Sequence, residues 1–463
     1  MSVPHNKTDQ YETPAPFSIE NDTIFPVPEE RRHGNARSLL LVWIGANQNI
    51  MAIMTGLIYP ALYHLSLGWS LLAILAGNLL GGIFMALHAA QGPHLGIPQM
   101  QQTRGQFGAT GSLLIIAIII LMYISFTTTF FAMGREQAAL VFGTAPSQLP
   151  IWISAVLIGI LCTLGHDAIE HVISGFIPVA AVTFLLLATA YLFASQGHLA
   201  QPVWQVPTPH DFLAAFSLGV LWQIAYAPYV SDYTRYLPSR TGERTAFFVC
   251  LAGSVIGTAL PTFIGSYLGS TTFSGTMYDA VRPYSAMLPI LLFLVMATST
   301  LVSSTMQVYC AALSSLTFLQ TFWADWKPTG LARAIAATLI LLTSALITIN
   351  LTGNTLDILN NVIALLLTVL SPWTAINLVD YYLIRHGHYD ISSLFQRDGG
   401  IYGQVNRPAL ACYGLGILVQ IPFLSNGLYV GPIASLYGSI DFSWVIGILV
   451  PGAIYWTLAR RPH

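Results

Sequence analysis

The sequence predicts an all-α polytopic membrane protein of twelve transmembrane helices, on three observations. The first is scarcity of charge: Asp, Glu, Lys and Arg make up 8% of the 463 residues, and 54% are hydrophobic, where soluble domains carry about 25% charged residues. So few charges cannot cover the water-facing surface of a chain this long. The second is length, because twelve apolar stretches between Ser38 and Leu458 are each long enough to be candidate bilayer spans. The third is sidedness. Of the 17 basic residues, Lys7, Arg31, Arg32, Arg37, Arg104, Arg235, Arg240, Arg244, Lys327, Arg333, Arg385, Arg397, Arg407, Arg460 and Arg461 fall on one side of the alternating count, and only Arg135 and Arg282 on the other. Basic residues in short loops set topology, so that side is the cytoplasm and both termini lie there.

Residues 1–37 are polar, rich in proline and charge, and lack an apolar leader core. They read as a disordered cytoplasmic tail. The membrane domain, 38–463, divides into spans near 38–63, 69–91, 111–140, 149–164, 169–195, 212–236, 246–269, 285–319, 331–350, 356–384, 408–424 and 441–459. Span 1 carries Gly45-Ala46-Asn47-Gln48-Asn49 near its middle. Span 6 carries Trp222-Gln223-Ile224-Ala225-Tyr226-Ala227-Pro228-Tyr229. Unsatisfied amides in hydrocarbon are costly, so these face protein or a water-filled cavity. Interruptions at matching places five spans apart point to inverted repeats with a substrate site where the broken helices meet; ordinary kinks are the alternative. Gly77-x-x-x-Gly81 in span 2 and Gly265-x-x-x-Gly269 in span 7 read as close helix packing.

Span 8 places Thr300, Ser303, Ser304 and Gln307 at i, i+3, i+4 and i+7, one polar stripe on an apolar helix. Any one hydroxyl could bond the carbonyl four residues back, but four polar groups in register suggest a lining. Tyr123, Phe126, Thr127, Phe130 and Gly134 share a face of span 3, a pattern more often due to packing. Span 10 adds Asn360 and Asn361. None of the 19 acidic residues lies near the middle of a span, which argues against a proton relay through a central carboxylate. The hydroxyls and carbonyls around spans 1 and 8 suit a hard monovalent cation instead.

Other chemistries find no support. The sequence lacks a nucleophile elbow, a phosphate-binding glycine loop and zinc-ligand spacing, and no basic run suggests nucleic acid. Neither an enzyme nor a cofactor is expected. Cys162, Cys250, Cys310 and Cys412 are scattered through apolar stretches and read as packing residues. His166, Asp167, Glu170 and His171 gather between spans 4 and 5, where they read as a solvated turn and not a metal site.

Several segments resemble the nucleobase–cation symporter family 1, the purine–cytosine permease group. The most specific runs Ala227-Pro228-Tyr229-Val230-Ser231-Asp232-Tyr233-Thr234-Arg235-Tyr236-Leu237-Pro238. Gly96-Ile97-Pro98-Gln99-Met100 with Arg104 and Phe107-Gly108, and Tyr309-x-Ala-Ala-Leu313-Ser314, also match. So do Pro372-Trp373-Thr374-Ala375, Asp380-Tyr381-Tyr382-Leu383, Asp390, Gly431-Pro432 and Asp441-Phe442-Ser443-Trp444. The resemblance runs from about residue 30 to the end. It implies a sodium-symporter-type fold whose repeats cover about 38–195 and 212–384, with two further helices over about 408–459.

It also implies a central site for a small flat heterocycle. Its contacts would be Asn49, Phe126, Trp222, Gln223, Tyr226 and Gln307, with Phe126 where the family usually has a stacking Trp and Gln307 where it often has Asn. A sodium ion would sit among Gly45, Gln48, Ser303 and Ser304. The expected protein is a multi-pass symporter of the cell membrane that imports a nucleobase or related ring with Na⁺ or H⁺ by alternating access. Uracil, hydantoin, allantoin or a vitamin precursor are alternative cargoes, and the oligomeric state is open. A channel would need rings of repeated charge or carbonyls, and a membrane sensor a signalling domain; neither is visible.

Overall fold

The computed structural model describes residues 19–351 and 355–460, apart from the side chains of 355–360, 362–364 and 367; the side chain of Asn360 therefore lies outside what is described. In chain order the helices are α1 (Ala36–Ala46), α2 (Ile50–Ala61), α3 (Leu67–Ala89), α4 (Gln91–Leu95), α5 (Gln99–Phe107), α6 (Ser112–Phe142), α7 (Leu149–Leu164), α8 (His166–Ala194) and α9 (Pro209–Ile224). They continue with α10 (Val230–Thr234), α11 (Gly242–Ser270), α12 (Met277–Val281), α13 (Leu288–Gln320), α14 (Gly330–Asn350), α15 (Thr355–Leu378), α16 (Arg407–Gln420), α17 (Pro432–Leu436) and α18 (Ser443–Ala459). Among the described residues β pairing is limited to the isolated bridges Leu199–Thr271 and Ser425–Val430. Among the described residues six segments are long and apolar enough to cross a bilayer, and α1 with α2, bent by 58°, makes a seventh. The apolar helices α7 and α18 are shorter.

The two interruptions are built by their own residues. Asn35 caps α1 in a reciprocal pair with Ser38, and α1 runs only to Ala46. Asn49 then starts α2, its Oδ1 accepting the Ala52 N–H at 3.0 Å, which meets one of the bare donors of a helix N-terminus. The second break lies between Ile224 and Val230. There Pro228 supplies no amide hydrogen to continue the helix.

Small residues decide which helices meet. A Cβ at Gly77 or Gly81 of α3 would stand 2.4 Å from the Phe216 carbonyl oxygen or 2.3 Å from that of Val220, so only glycine lets α3 lie against α9. At the contact of α2 with α11, a Cβ on Gly265 would reach 1.9 Å from the Ile53 oxygen. These contacts gather α1, α2, α3, α9 and α11 into one bundle. A second group of α6, α7, α8, α13 and α14 packs against it, and α15, α16 and α18 form a third.

Two expectations need correction. Of the segment 1–37 read as a disordered tail, residues 1–18 lie outside the described residues, but 19–35 are packed along the helices. Ile24 and Val27 are buried, Phe25 stacks on Phe395 at 4.8 Å, and the Val27 N–H bonds the Gly96 carbonyl at 3.0 Å. Composition suggested disorder because the stretch is rich in charge; its few apolar residues nevertheless sit beside Glu20 and Thr23, whose side chains find buried partners. The His166–His171 region is likewise no solvated turn. Gly165 alone separates α7 from α8, and His166 is buried with its ring stacked on Tyr236 at 4.1 Å.

Glu20 makes the tightest tie of this segment. Its carboxylate lies 3.1 Å from Arg333 of α14 and 3.8 Å from Arg235 after α10. It accepts the Tyr309 hydroxyl of α13 at 3.0 Å, the Tyr236 hydroxyl, and the backbone N–H of His166 at 3.0 Å. It is the carboxylate within 4 Å of two buried guanidinium groups, and such a group is expensive to bury alone.

The short helix α5 is the opposite of a bilayer segment. Gln99, Gln101, Gln102, Thr103, Arg104 and Gln106 are all buried. Arg104 is held by Gln320 Oε1 at 2.6 Å, the carbonyls of Thr317 and Leu394 at 2.7 and 3.0 Å, and Thr321 at 2.6 Å. Gln106 donates to the Tyr389 hydroxyl at 2.9 Å, and Asn406 donates to the Gln106 carbonyl at 2.7 Å.

Candidate functional site

The two helix breaks face each other across one side chain. Asn47, in the unwound residues of the first break, points its Oδ1 toward the second and accepts Trp222 Nε1 at 3.3 Å, the Tyr226 hydroxyl, and Thr258 Oγ1 at 2.8 Å. Its Nδ2 donates to the Trp43 carbonyl at 2.8 Å. One amide oxygen thus receives donors from the second break and from α11. Around it Trp43 and Tyr226 meet edge to face at 5.4 Å, Tyr226 and Tyr229 at 5.6 Å, and Tyr229 and Tyr123 at 5.7 Å. Edge-to-face aromatic packing of this kind suits a flat ring. Phe126 and Trp222 are half-buried against the large hydrophobic core to which these rings belong.

The helix α13 closes the other side. Ser303 donates to the Ala46 carbonyl at 2.7 Å and accepts Asn49 Nδ2 at 3.2 Å, while Ser299 donates to the Gln48 carbonyl. These carbonyls are free to accept because the helix stops there. Gln307 lies one turn beyond Ser303 on nearly the same face. Its Oε1 is buried with no hydrogen-bond partner.

The remaining residues singled out from sequence divide. Tyr226 and Trp222 are at the centre. Asn49 is there too, but its amide is engaged by Ala52, Ala46 and Ser303. Gln223 points into the bundle instead, donating to Asn78 Oδ1 at 2.9 Å and Thr258 Oγ1 at 3.1 Å and accepting the Ser254 hydroxyl. Gln48 sends Nε2 to the Gly257 carbonyl at 2.9 Å. The Gly45 carbonyl accepts the Gln48 N–H at 3.1 Å, and a Cβ at Gly45 would collide with Ile173, 2.4 Å away. Ser304 faces neither break. It lines a void of about 30 Å³ with Phe130, Phe131, Ile158 and Thr300, between α13 and the pair α6–α7. A larger cavity of about 700 Å³ opens beside Trp323 and Arg397, at the far end of α13 and away from both breaks.

Asn47 and Ser299 are the residues that sequence reasoning left out. Asn47 was one of three adjacent amides, and an unwound stretch has no helical register to say which of them points inward. Ser299 stands four residues before Ser303, so extending the polar stripe backward by a turn would have found it.

Comparison with known proteins gives this arrangement a context. Residues 26–447 match the family model described as permease for cytosine/purines, uracil, thiamine, allantoin. The chain is 37% identical over 460 residues to YxlA of Bacillus subtilis, whose name assigns it provisionally to the purine–cytosine permeases, covering 96% of each chain. It is 22% identical to the purine–cytosine permease fcyB of Emericella nidulans, over 97% of this chain and 89% of that one. Its fold is similar to that of Mhp1, a nucleobase-cation-symport-1 family transporter in a closed conformation with bromovinylhydantoin bound, with a TM-score of 0.76 at 18% identity over 96% of each chain. The match along nearly the whole length, in sequence and in fold, places this chain in the family of permeases for cytosine/purines, uracil, thiamine and allantoin.

Proposed function

We propose that the protein is a twelve-span symporter of the cell membrane, with cytoplasmic termini. It imports a nucleobase or a related small heterocycle together with a cation by alternating access between two inverted repeats. The observation that carries this reading is Gln307, a buried amide oxygen without a partner beside two broken helices and an aromatic cluster. Leaving such a group unpaired costs about 1–3 kcal/mol, which a ring N–H can recover. Purine–cytosine permeases among the relatives and a hydantoin in the similar fold support a planar cargo bearing amide-like edges. Phe126, Trp222 and Tyr226 then flank the ring and Gln307 reads its edge. Asn49 and Gln223, whose amides are already engaged, hold the frame.

For the cation we propose sodium, held by the Ala46 and Gln48 carbonyls with the Ser299 and Ser303 hydroxyls. Neutral oxygens freed by a helix break suit a hard ion. Proton coupling is the second reading, favoured by the direct bonds these hydroxyls already make to the same carbonyls. Uptake into liposomes under a sodium gradient at clamped pH, competed by a panel of heterocycles, tests both parts. Gln307→Leu is expected to change which rings compete, because a site built around a polar partner rejects analogues that leave it unpaired. An unchanged profile removes Gln307 from the site. Uptake that ignores sodium and follows an imposed proton gradient overturns the sodium assignment.

A further inference from the structure

We propose that His33, His166 and Asp167 form a divalent-cation site of the zinc class that fastens the N-terminal segment to α8 and slows transport when filled. The three offer His33 Nε2, His166 Nδ1 and Asp167 Oδ1, all within 4.8 Å of one another. Asp167 Oδ1 stands 2.8 Å from His33 Nε2 and 3.3 Å from His166 Nδ1. Tetrahedral zinc with bonds of about 2.0–2.1 Å sets its ligands roughly 3.3 Å apart. The pair distances bracket that value, and a contraction of the widest separation completes the shell. Two imidazoles and a carboxylate, with water in the fourth position, are a donor set that zinc accepts.

Two features go beyond proximity. The other ring nitrogen of His33, Nδ1, lies 2.9 Å from the Arg31 carbonyl. Donating there orients the ring so that Nε2, which bonds Asp167 Oδ1, is the atom turned toward the metal position, as ligating histidines generally require. The His166 ring is clamped against Tyr236 at 4.1 Å, and its backbone N–H is bound by Glu20, so its Nδ1 is held in place. Access is open as well, since the side chains of His33 and Asp167 are 30% and 26% exposed. That opening to water makes the site one that fills and empties, unlike a permanent structural ion.

The consequence for transport rests on the function proposed above. His33 precedes the cap of α1 by two residues, and α1 packs along α8. A cation shared between them ties the bundle to the second helix group at the cytoplasmic end, where the groups must part to release cargo inward.

The test uses the purified full-length chain with any histidine tag removed, titrated calorimetrically with Zn²⁺ and followed with Co²⁺ by its tetrahedral visible band. One ion per chain is expected at micromolar affinity, weakened at least roughly tenfold in both His33→Ala and Asp167→Asn. Absence of saturable binding, or binding indifferent to both substitutions, overturns the site. In proteoliposomes, Zn²⁺ on the cytoplasmic side should lower uptake by the wild type and spare His33→Ala. Equal inhibition of both, or none, overturns the effect on transport. A chain that binds zinc but carries no heterocycle at all refutes the transport reading while leaving the site intact.

Discussion

Neutralising Glu20 tests whether the N-terminal segment latches the helix groups together. Glu20→Gln keeps the shape of the side chain and removes its charge. Arg333 and Arg235, both fully buried at 3.1 and 3.8 Å from the carboxylate, then face an amide that can accept from only one oxygen. Breaking a buried ion pair by removing one partner costs about 3–5 kcal/mol. Glu20 is 12% exposed, which favours the low end of that range. The groups it joins belong to α13, α14, the start of α8 and the residues after α10, so the loss falls on the state in which these elements are together. About 3 kcal/mol is roughly a hundredfold change in a two-state population. Hydrogen exchange should therefore speed up by that order at the backbone amides of residues 20–27 and 230–237, with α3 and α9 unaffected. Exchange rates equal to those of the wild type at both segments would refute the latch. A loss of protection spread over the whole chain would show instead that Glu20 serves global stability.

Three further outcomes follow from the geometry. Phe126→Ala and Trp222→Ala should each weaken apparent substrate affinity about tenfold or more, since stacking on a base is worth about 1–3 kcal/mol; unchanged uptake affinity at normal expression would remove the residue from the ring site. Ser299→Ala should reduce sodium dependence of uptake whereas Ser304→Ala should not, because of these two only Ser299 reaches the first break; the reverse result would restore Ser304 to the cation site. Gly265→Val should lower the melting temperature sharply, its Cβ falling 1.9 Å from the Ile53 oxygen, whereas Gly175→Ala, with open space around it, should not; equal melting of the two variants would contradict the packing of α2 on α11.

How far the sequence could be read depended on the kind of signal. Hydropathy located the six long apolar segments and the bent α1–α2 pair found among the described residues, because a bilayer admits few alternatives for an apolar stretch, and the amides at 47–49 marked the first break because they have no other place in a span. Direction within the break was not legible: Asn47, Gln48 and Asn49 look alike in sequence, yet one faces the second break, one α11 and one its own helix. The polar stripe of α13 was real but split, with Ser303 turned toward α1 and Ser304 toward α6 and α7. Composition failed for the N-terminal segment, since a charged stretch looks solvated until the distant Arg235 and Arg333 are placed around Glu20. It failed for His33 and His166 for the same reason, as ligand spacing is visible only when the ligands are neighbours in the chain.

The polar helix α5 constrains how the protein can be made. Its amides and Arg104 cannot enter lipid alone, and their partners at Leu394, Tyr389 and Asn406 leave the ribosome only after α15. For most of synthesis α5 must therefore wait at the membrane surface, exposed to water and to proteases, while the helices on either side of it are already inserted. A chain stalled before residue 389 emerges would leave α5 cleavable and Arg104 without its Leu394 partner; one stalled after residue 406 has emerged would not. Protection of this one helix thus reports that the chain has been made through the residues that follow α15.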